Sequence, residues 1–421
     1  MRTPKILTTI RTYDRSLFLS DLFAGLTVAF VAIPLSLAIA IASGADPAKG
    51  LVTAIVAGLL ISLFGGSRVQ IGGPTGAFIV VVFSVIAEHG YDGLVMATMM
   101  AGVLLVIAGW FRAGRLIAFV PDAVVNGFTI GIGIIIGTSQ LKDFLGLKPE
   151  HDPADFLEKI PALWHARDSF SLSALIIALV TLILIVAFRR LWPRFPGLIF
   201  AIAIGSALPF LLPLQADTLA SRFGELPSTL PWPELPHFSW SRFVELIPSA
   251  ITIAFLAGVE SLLSAMVADR MIEGHHRPNA ELTAQGIANI GSSLFTGLPA
   301  TGAIARTATN IKAGGKTPVA GIVHAIAVLV IMLVAAPLAG TLAMPALAAL
   351  LIITAWNMTE PHKWGEYAKG RPSDIFLLLL TLVLTVLVDL TVAIGTGVAL
   401  GLAIRLSRRK QVESDWHTPD R

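Results

Sequence analysis

The chain of 421 residues is 55% hydrophobic and 14% charged, with a net charge of +3, whereas soluble domains carry about 25% charge; most of it must therefore lie in lipid. Lysine and arginine fall in short clusters between apolar runs, which argues against a nucleic-acid partner. The absence of cysteine excludes disulfide frameworks, Cys-ligated zinc and thiol nucleophiles.

Residues 1–20 hold Arg2, Lys5, Arg11 and Arg15 without a small-residue cleavage site, as expected of a cytoplasmic leader. Fourteen apolar segments follow, near 22–42, 50–65, 75–88, 94–111, 123–140, 171–188, 196–214, 246–267, 282–297, 303–312, 318–339, 341–356, 374–389 and 390–406. With the N-terminus inside, the connections holding Arg112/Arg115, Arg189/Arg190/Arg194, Arg270/Arg277, Lys312/Lys316, Lys363/Lys369/Arg371 and Arg405/Arg408/Arg409/Lys410 all become cytoplasmic, as the positive-inside rule asks. The long outside connections, 141–170 and 215–245, also carry basic residues, but long loops obey that rule weakly. The expected division is a first repeat over 21–214, an extracytoplasmic loop over 215–245, a second repeat over 246–406 and a cytoplasmic tail over 407–421. Both termini are then cytoplasmic, in a multi-pass protein of the inner membrane.

The halves echo each other. Leu26-Thr-Val-Ala-Phe-Val-Ala32 returns as Ile251-Thr-Ile-Ala-Phe-Leu-Ala257, and Thr75-Gly-Ala77 returns as Thr301-Gly-Ala303 at nearly the same offset. Seven segments per half, an odd number, force the second copy to be inverted, which is a transporter signature. The segment from Thr75 to Glu88 would rise only about 21 Å as a helix, short of the roughly 30 Å hydrocarbon core. Gly65-Gly-Ser-Arg-Val-Gln-Ile-Gly-Gly-Pro74 before it suits an extended strand leading to a helix that starts mid-membrane. Ser293 to Thr301 leads in the same way to a short helix from Ala303 to Lys312.

Two helix starts facing one cavity offer unpaired N–H groups and partial positive charge, so they suit a negative ligand. Arg306, one turn into the second half-helix, adds a bidentate anion partner; the competing reading pairs it with Glu260 as structural glue. Glu260, an acid in mid-span, suits a proton carrier, and with Ser264 one turn on it makes an alternative Na⁺ site. Ala313-Gly-Gly-Lys-Thr317 imitates the end of a phosphate loop, but Asn310 stands where the leading glycine is needed, so it reads as a cytoplasmic turn. His324 reads as a packed and hydrogen-bonded residue rather than a proton relay. Asp122, Asp374 and Asp389 read as helix-end residues. No hydrolase motif or metal-ligand cluster stands in the sequence, so no enzyme, cofactor or metal is expected.

Asn289-Ile-Gly-Ser-Ser-Leu-Phe-Thr-Gly-Leu-Pro-Ala-Thr-Gly-Ala-Ile-Ala-Arg-Thr-Ala-Thr-Asn310, with Ala313 to Gly321, resembles the tenth-segment motif of the SulP sulfate permeases, solute carrier family 26. Pro121 to Leu145 is similar to that family's fifth segment, and Val388 to Gly397 resembles the seam of its last two. The resemblance implies an all-α polytopic membrane fold: fourteen segments in a seven-plus-seven inverted repeat, with half-helices and short strands in segments 3 and 10. It further implies a core of segments 1–4 and 8–11 moving against a gate of segments 5–7 and 12–14. Carried over, the substrate site comprises Ser36, Ile39, Thr75, Gly76, Ala77, Ala305, Arg306 and Thr307, and the coupling-ion site Glu260 and Ser264. The expectation is secondary active transport of a small anion (a dicarboxylate, bicarbonate, sulfate or similar) by an elevator mechanism in a homodimer, coupled to H⁺ through Glu260. Na⁺-coupled bicarbonate symport and a channel-like or electromotile member are the alternatives. Two departures stand out. Pro34 is followed by Leu35 where many members have glutamine, and Ile39 takes an aromatic place. Only Arg408 to Arg421 follow the last span, where members usually continue into a STAS domain.

Overall fold

The computed structural model describes residues 3–115, 121–153, 155–192, 196–236, 238–388 and 390–407. The expected tail beyond Ser407 and Asp389 lie outside the described residues. The helices that carry the fold are α1 (Arg15–Ala42), α2 (Pro47–Phe64), α3 (Ile79–Trp110), α4 (Asp122–Leu145), α5 (Phe156–His165), α6 (Leu172–Leu191), α7 (Gly197–Leu211), α8 (Ile247–Ile272), α9 (Pro278–Leu294), α10 (Ile304–Lys312), α11 (Val319–Gly340), α12 (Met344–Met358), α13 (Pro372–Leu387) and α14 (Leu390–Ser407). Among the described residues, seven helical spans are long and apolar enough to cross a membrane, and three shorter apolar helices join them.

Local chemistry fixes the helix ends. Asp14 accepts from Leu17 N at 2.8 Å to start α1, and Asp46 accepts from Ala48 N at 2.8 Å with Pro47 at the first position of α2. Proline also stands in the first turn of α8, α9, α12 and α13, where a missing N–H costs nothing. Gly146 ends α4 in the left-handed region at φ 67°, its N–H bonded to Lys142 O. The predicted third and fourth segments form one helix, α3, bent where Gly90 takes φ 70°. Glycine reaches that conformation without a Cβ penalty, so no separate connecting loop is needed.

The helices pack in two groups. α1, α2, α3, α8, α9, α10 and α11 pack on one another, while α4, α6, α7, α12, α13 and α14 form the second set. α12 also touches α1 across the boundary. This is the core and gate partition expected from the resemblance. The interior is built of small residues that let backbones approach: Ala24, Ala29, Ala32 and Ala40 of α1, Ala54 and Ala57 of α2, and Ala257, Ala284 and Ala288 opposite are all fully buried.

The turn at 313–317 is knitted to the start of α1. Asp21, fully buried, accepts from Lys316 N at 2.8 Å, Thr317 N at 3.1 Å and the Thr317 hydroxyl, and Ser20 Oγ donates to Gly314 O at 2.6 Å. Tyr13 donates to the same carboxylate at 3.2 Å. Burial, and then the nearby Asp21, push the Tyr13 phenol up to about 12, which keeps it a donor at neutral pH. The stretch is thus a structural turn, as expected, and Asp21 is the anchor that sequence reasoning did not single out.

Candidate functional site

Two very short strands cross at the centre of the first helix group. β1 (Gly72–Gly73) pairs antiparallel with β2 (Thr301–Gly302), with Gly72 opposite Gly302 and Gly73 opposite Thr301. The sequence suggested a longer extended lead-in; only two residues pair because side chains satisfy the flanking backbone instead. Ile71 N donates to Thr307 Oγ1 at 3.1 Å, Asn310 Nδ2 donates to Val69 O at 2.8 Å, and Thr301 Oγ1 donates to Ala257 O at 2.9 Å. Asn289 donates to Ala300 O at 2.8 Å and accepts from Ala300 N at 2.9 Å, while Thr53 Oγ1 accepts from Leu298 N at 2.7 Å. With no water in the hydrocarbon region to bond an open backbone, these side chains are what makes non-helical chain tolerable there.

Each strand runs straight into a helix start. Thr75 precedes the 3-10 turn Gly76–Phe78 that leads into α3, and Ala303 precedes α10; neither start has a side-chain cap. Their leading N–H groups are therefore unclaimed by capping side chains. Gly76 marks the boundary with the second helix group: a Cβ there would lie 3.2 Å from Met358 Sδ and 3.7 Å from Ile136 Cδ1. Met358 belongs to α12 and Ile136 to α4, so the first helix start looks onto the gate.

Arg306 is 1% exposed and donates from Nη2 to Ser36 Oγ at 3.0 Å, while its Nε and Nη1 find no partner among the described residues. Gly73 makes room for the guanidinium, since a Cβ on it would lie 2.2 Å from Arg306 Nη1. Arg306 forms no ion pair with Glu260 among the described residues. Glu260 is half-buried and accepts from Thr75 Oγ1 at 3.0 Å. The structural-glue reading of Arg306 therefore fails on geometry, and the guanidinium keeps free donors beside the two helix starts.

The other expected residues divide. Ser36, Thr75, Gly76 and Ala77 are buried around this crossing, and Ile39 is buried one turn beyond Ser36 on α1. Thr307 is buried but occupied, holding Ile71 N and sharing a 3.3 Å hydrogen bond with Ser264 Oγ. Ser264 is thus committed to Thr307 rather than to Glu260, and the paired coupling-ion site expected from their spacing is split between two partners. Ala305 is exposed, on the other side of its helix from the buried Arg306 and Thr307. His324 is fully buried, but neither ring nitrogen has a hydrogen-bond partner, which corrects the expectation of a satisfied histidine. Sequence reasoning also missed Glu281, fully buried at the start of α9, which accepts from Gly66 N at 2.8 Å, Ser67 N at 3.1 Å and Gln285 Nε2 at 2.8 Å. Its place in the first turn after Pro278 disguises it as an ordinary helix-start acid.

Comparison with known proteins agrees with this architecture. Residues 18–381 match the sulfate permease family. YvdB of Bacillus subtilis, whose name alone assigns it to sulfate, is 43% identical over 375 residues, or 89% of this chain and 71% of YvdB. The bicarbonate transporter BicA of Picosynechococcus is 33% identical over 379 residues, or 87% of this chain and 66% of BicA. The solved transmembrane domain of a cyanobacterial BicA matches with a TM-score of 0.82 at 32% identity, covering 90% of this chain and 98% of that one. Murine Slc26a9 in its inward-facing state matches with a TM-score of 0.86 at 18% identity, a likeness of fold alone, over 96% of this chain and 71% of that one.

Proposed function

As a member of the sulfate permease family, to which this chain belongs, the protein is a multi-pass membrane transporter, and we propose that it carries a small oxyanion bound between the starts of the two half-helices. The observation that supports this most is Arg306. A guanidinium keeps its charge, and a buried charge with unused donors is stabilised most by a negative partner. Its free Nε and Nη1 lie beside Gly73, next to two helix starts without side-chain caps. Ser36 takes one guanidinium N–H and leaves donors for an oxyanion that accepts through two oxygens.

The same reading gives Glu260 the coupling role. As a carboxylate it only accepts, so it holds the Thr75 hydroxyl proton. Once protonated, Glu260 becomes a donor, and Thr75 is free to turn its own hydroxyl toward an anion at the helix start. Proton uptake and anion binding then favour one another through one shared hydrogen bond, which is the basis of symport. The core group carries the site past the gate group in an elevator movement, and the working unit is a homodimer.

Bicarbonate and sulfate are the substrates to test first, because the relatives above carry those names. Uptake of each into proteoliposomes, driven by an inward proton gradient and repeated with sodium in place of the gradient, decides substrate and coupling together. Gradient-driven accumulation is expected. Accumulation that follows sodium and ignores pH transfers the coupling to Na⁺, and uptake of neither anion overturns the oxyanion assignment.

A further inference from the structure

Two buried groups at the strand crossing hold hydrogen-bonding capacity beyond what Ser36 and a bidentate anion would take. One is the guanidinium of Arg306, whose five N–H donors exceed those three uses; the other is His324 on α11, neither of whose ring nitrogens has a partner among the described residues. They converge on adjacent residues of β1. A Cβ on Gly73 would lie 2.2 Å from Arg306 Nη1, and a Cβ on Gly58 of α2 would lie 3.2 Å from Gly72 O and 4.0 Å from His324 Nε2.

A direct contact would serve only part of the set, since Arg306 could donate to one imidazole nitrogen but not accept from the other. Arg306 has only donors, and a neutral imidazole has one donor and one acceptor. An orphaned polar group in a sealed interior is destabilising, and more so when it is charged. A buried water typically makes about three hydrogen bonds and reconciles such sets.

We propose that the space behind β1, between α2 and α11, is an ordered-water site bridging Arg306 to His324, and that His324 is thereby a positioning residue for the guanidinium. Ser36 alone anchors one nitrogen and leaves the plane free to tilt. A second anchor through water sets the plane at the angle the anion meets. The inference rests on the reading of Arg306 as the anion's partner.

Two substitutions separate positioning from packing. His324→Leu removes both nitrogens at similar volume, and His324→Asn keeps one donor and one acceptor. Positioning through water predicts about a tenfold loss of affinity for bicarbonate or sulfate in His324→Leu, on the scale of one hydrogen bond to a charged group, largely restored in His324→Asn. Neither change should matter further once Arg306→Ala is present. A structure of the unaltered protein that resolves ordered solvent should show water within hydrogen-bond reach of both side chains. A dry contact there, or His324→Leu that binds as well as the parent, overturns the proposal. If Arg306→Ala itself leaves binding unchanged, it is the anion assignment that fails, and the solvent-resolved structure alone decides the water site.

Discussion

Thr75 Oγ1 donates to Glu260 Oε2 at 3.0 Å, so the residue that opens the first half-helix is bonded to the mid-span carboxylate of α8. Breaking that bond should separate proton coupling from anion binding. Glu260→Gln, which keeps shape and loses the titrating group, is expected to cut gradient-driven accumulation at least about tenfold while anion exchange persists. Thr75→Val should lose coupling as well and also weaken anion binding, because its hydroxyl serves both the carboxylate and the anion. Reconstituted uptake with and without a pH gradient measures both; full gradient response in Glu260→Gln would remove Glu260 from coupling.

Arg306→Ala should weaken anion binding by about 10- to 100-fold, the range of a hydrogen bond to a charged group. Arg306→Lys should recover little, because an ammonium lacks the fork that holds Ser36 and two oxygens of an oxyanion at once. Ser36→Ala should fall between parent and Arg306→Ala. Isothermal titration or ligand-induced thermal shift reads all three, and equal affinity across the set would assign the holding to the backbone.

Gly302 carries the second strand past Gln70, and a Cβ on it would lie 1.5 Å from Gln70 Nε2. Gly302→Ala must displace that amide from its 3.2 Å bond to Ser261 O, at a cost of about 1–3 kcal/mol for the buried amide that loses its acceptor. A lower melting temperature is expected, partly recovered by adding Gln70→Ala. An unshifted melting curve would mean that the amide has another place to go.

The outer loop supplies a pH-dependent tie. Asp152 bonds Lys142 on α4 and lies 3.1 Å from Lys159 on α5, whose ammonium sits 5.1 Å from the Phe83 ring centre on α3. Partial burial raises the Asp152 pKa, but the two lysines outweigh it and hold the carboxyl below its ordinary range. A depressed folded value means stabilisation that is complete above the ordinary aspartate range and lost as pH falls through the folded one. Asp152→Asn should therefore melt earlier than the parent at pH 7, with the gap closing in acid. A gap that stays constant from pH 7 down to pH 3 would show that the ion pairs contribute nothing.

Much of this was legible in the sequence because bilayer thickness is a ruler. Apolar runs found the helices, and the glycine-rich lead-ins located the two helix starts at the strand crossing, although the first of them opens one long helix bent at Gly90. What stayed hidden depended on contacts between distant side chains. Nothing local to Asp21 says that it holds the turn at 313–317, and Ser264 stands at the right helical spacing from Glu260 yet bonds Thr307 on another element. Ala305 adjoins Arg306 in sequence but is exposed where Arg306 is buried, because consecutive helical residues point about 100° apart. His324 read as an ordinary packed residue because sequence shows burial in an apolar span but not whether a partner is in reach.

The pairing of β1 with β2 also sets an order of assembly. Ile71 and its hydrogen-bond partner Thr307 are 236 residues apart in the chain. At a synthesis rate of about 5–20 residues per second, that interval lasts roughly ten to fifty seconds. Throughout it, the first half is in the membrane with the backbone of Gly72 and Gly73 lacking its ladder partner. Its backbone groups thus stay unpaired, at a cost in lipid, until the second half arrives. Substitutions that weaken the crossing should lower the yield of newly made protein more than they shorten the lifetime of protein already folded.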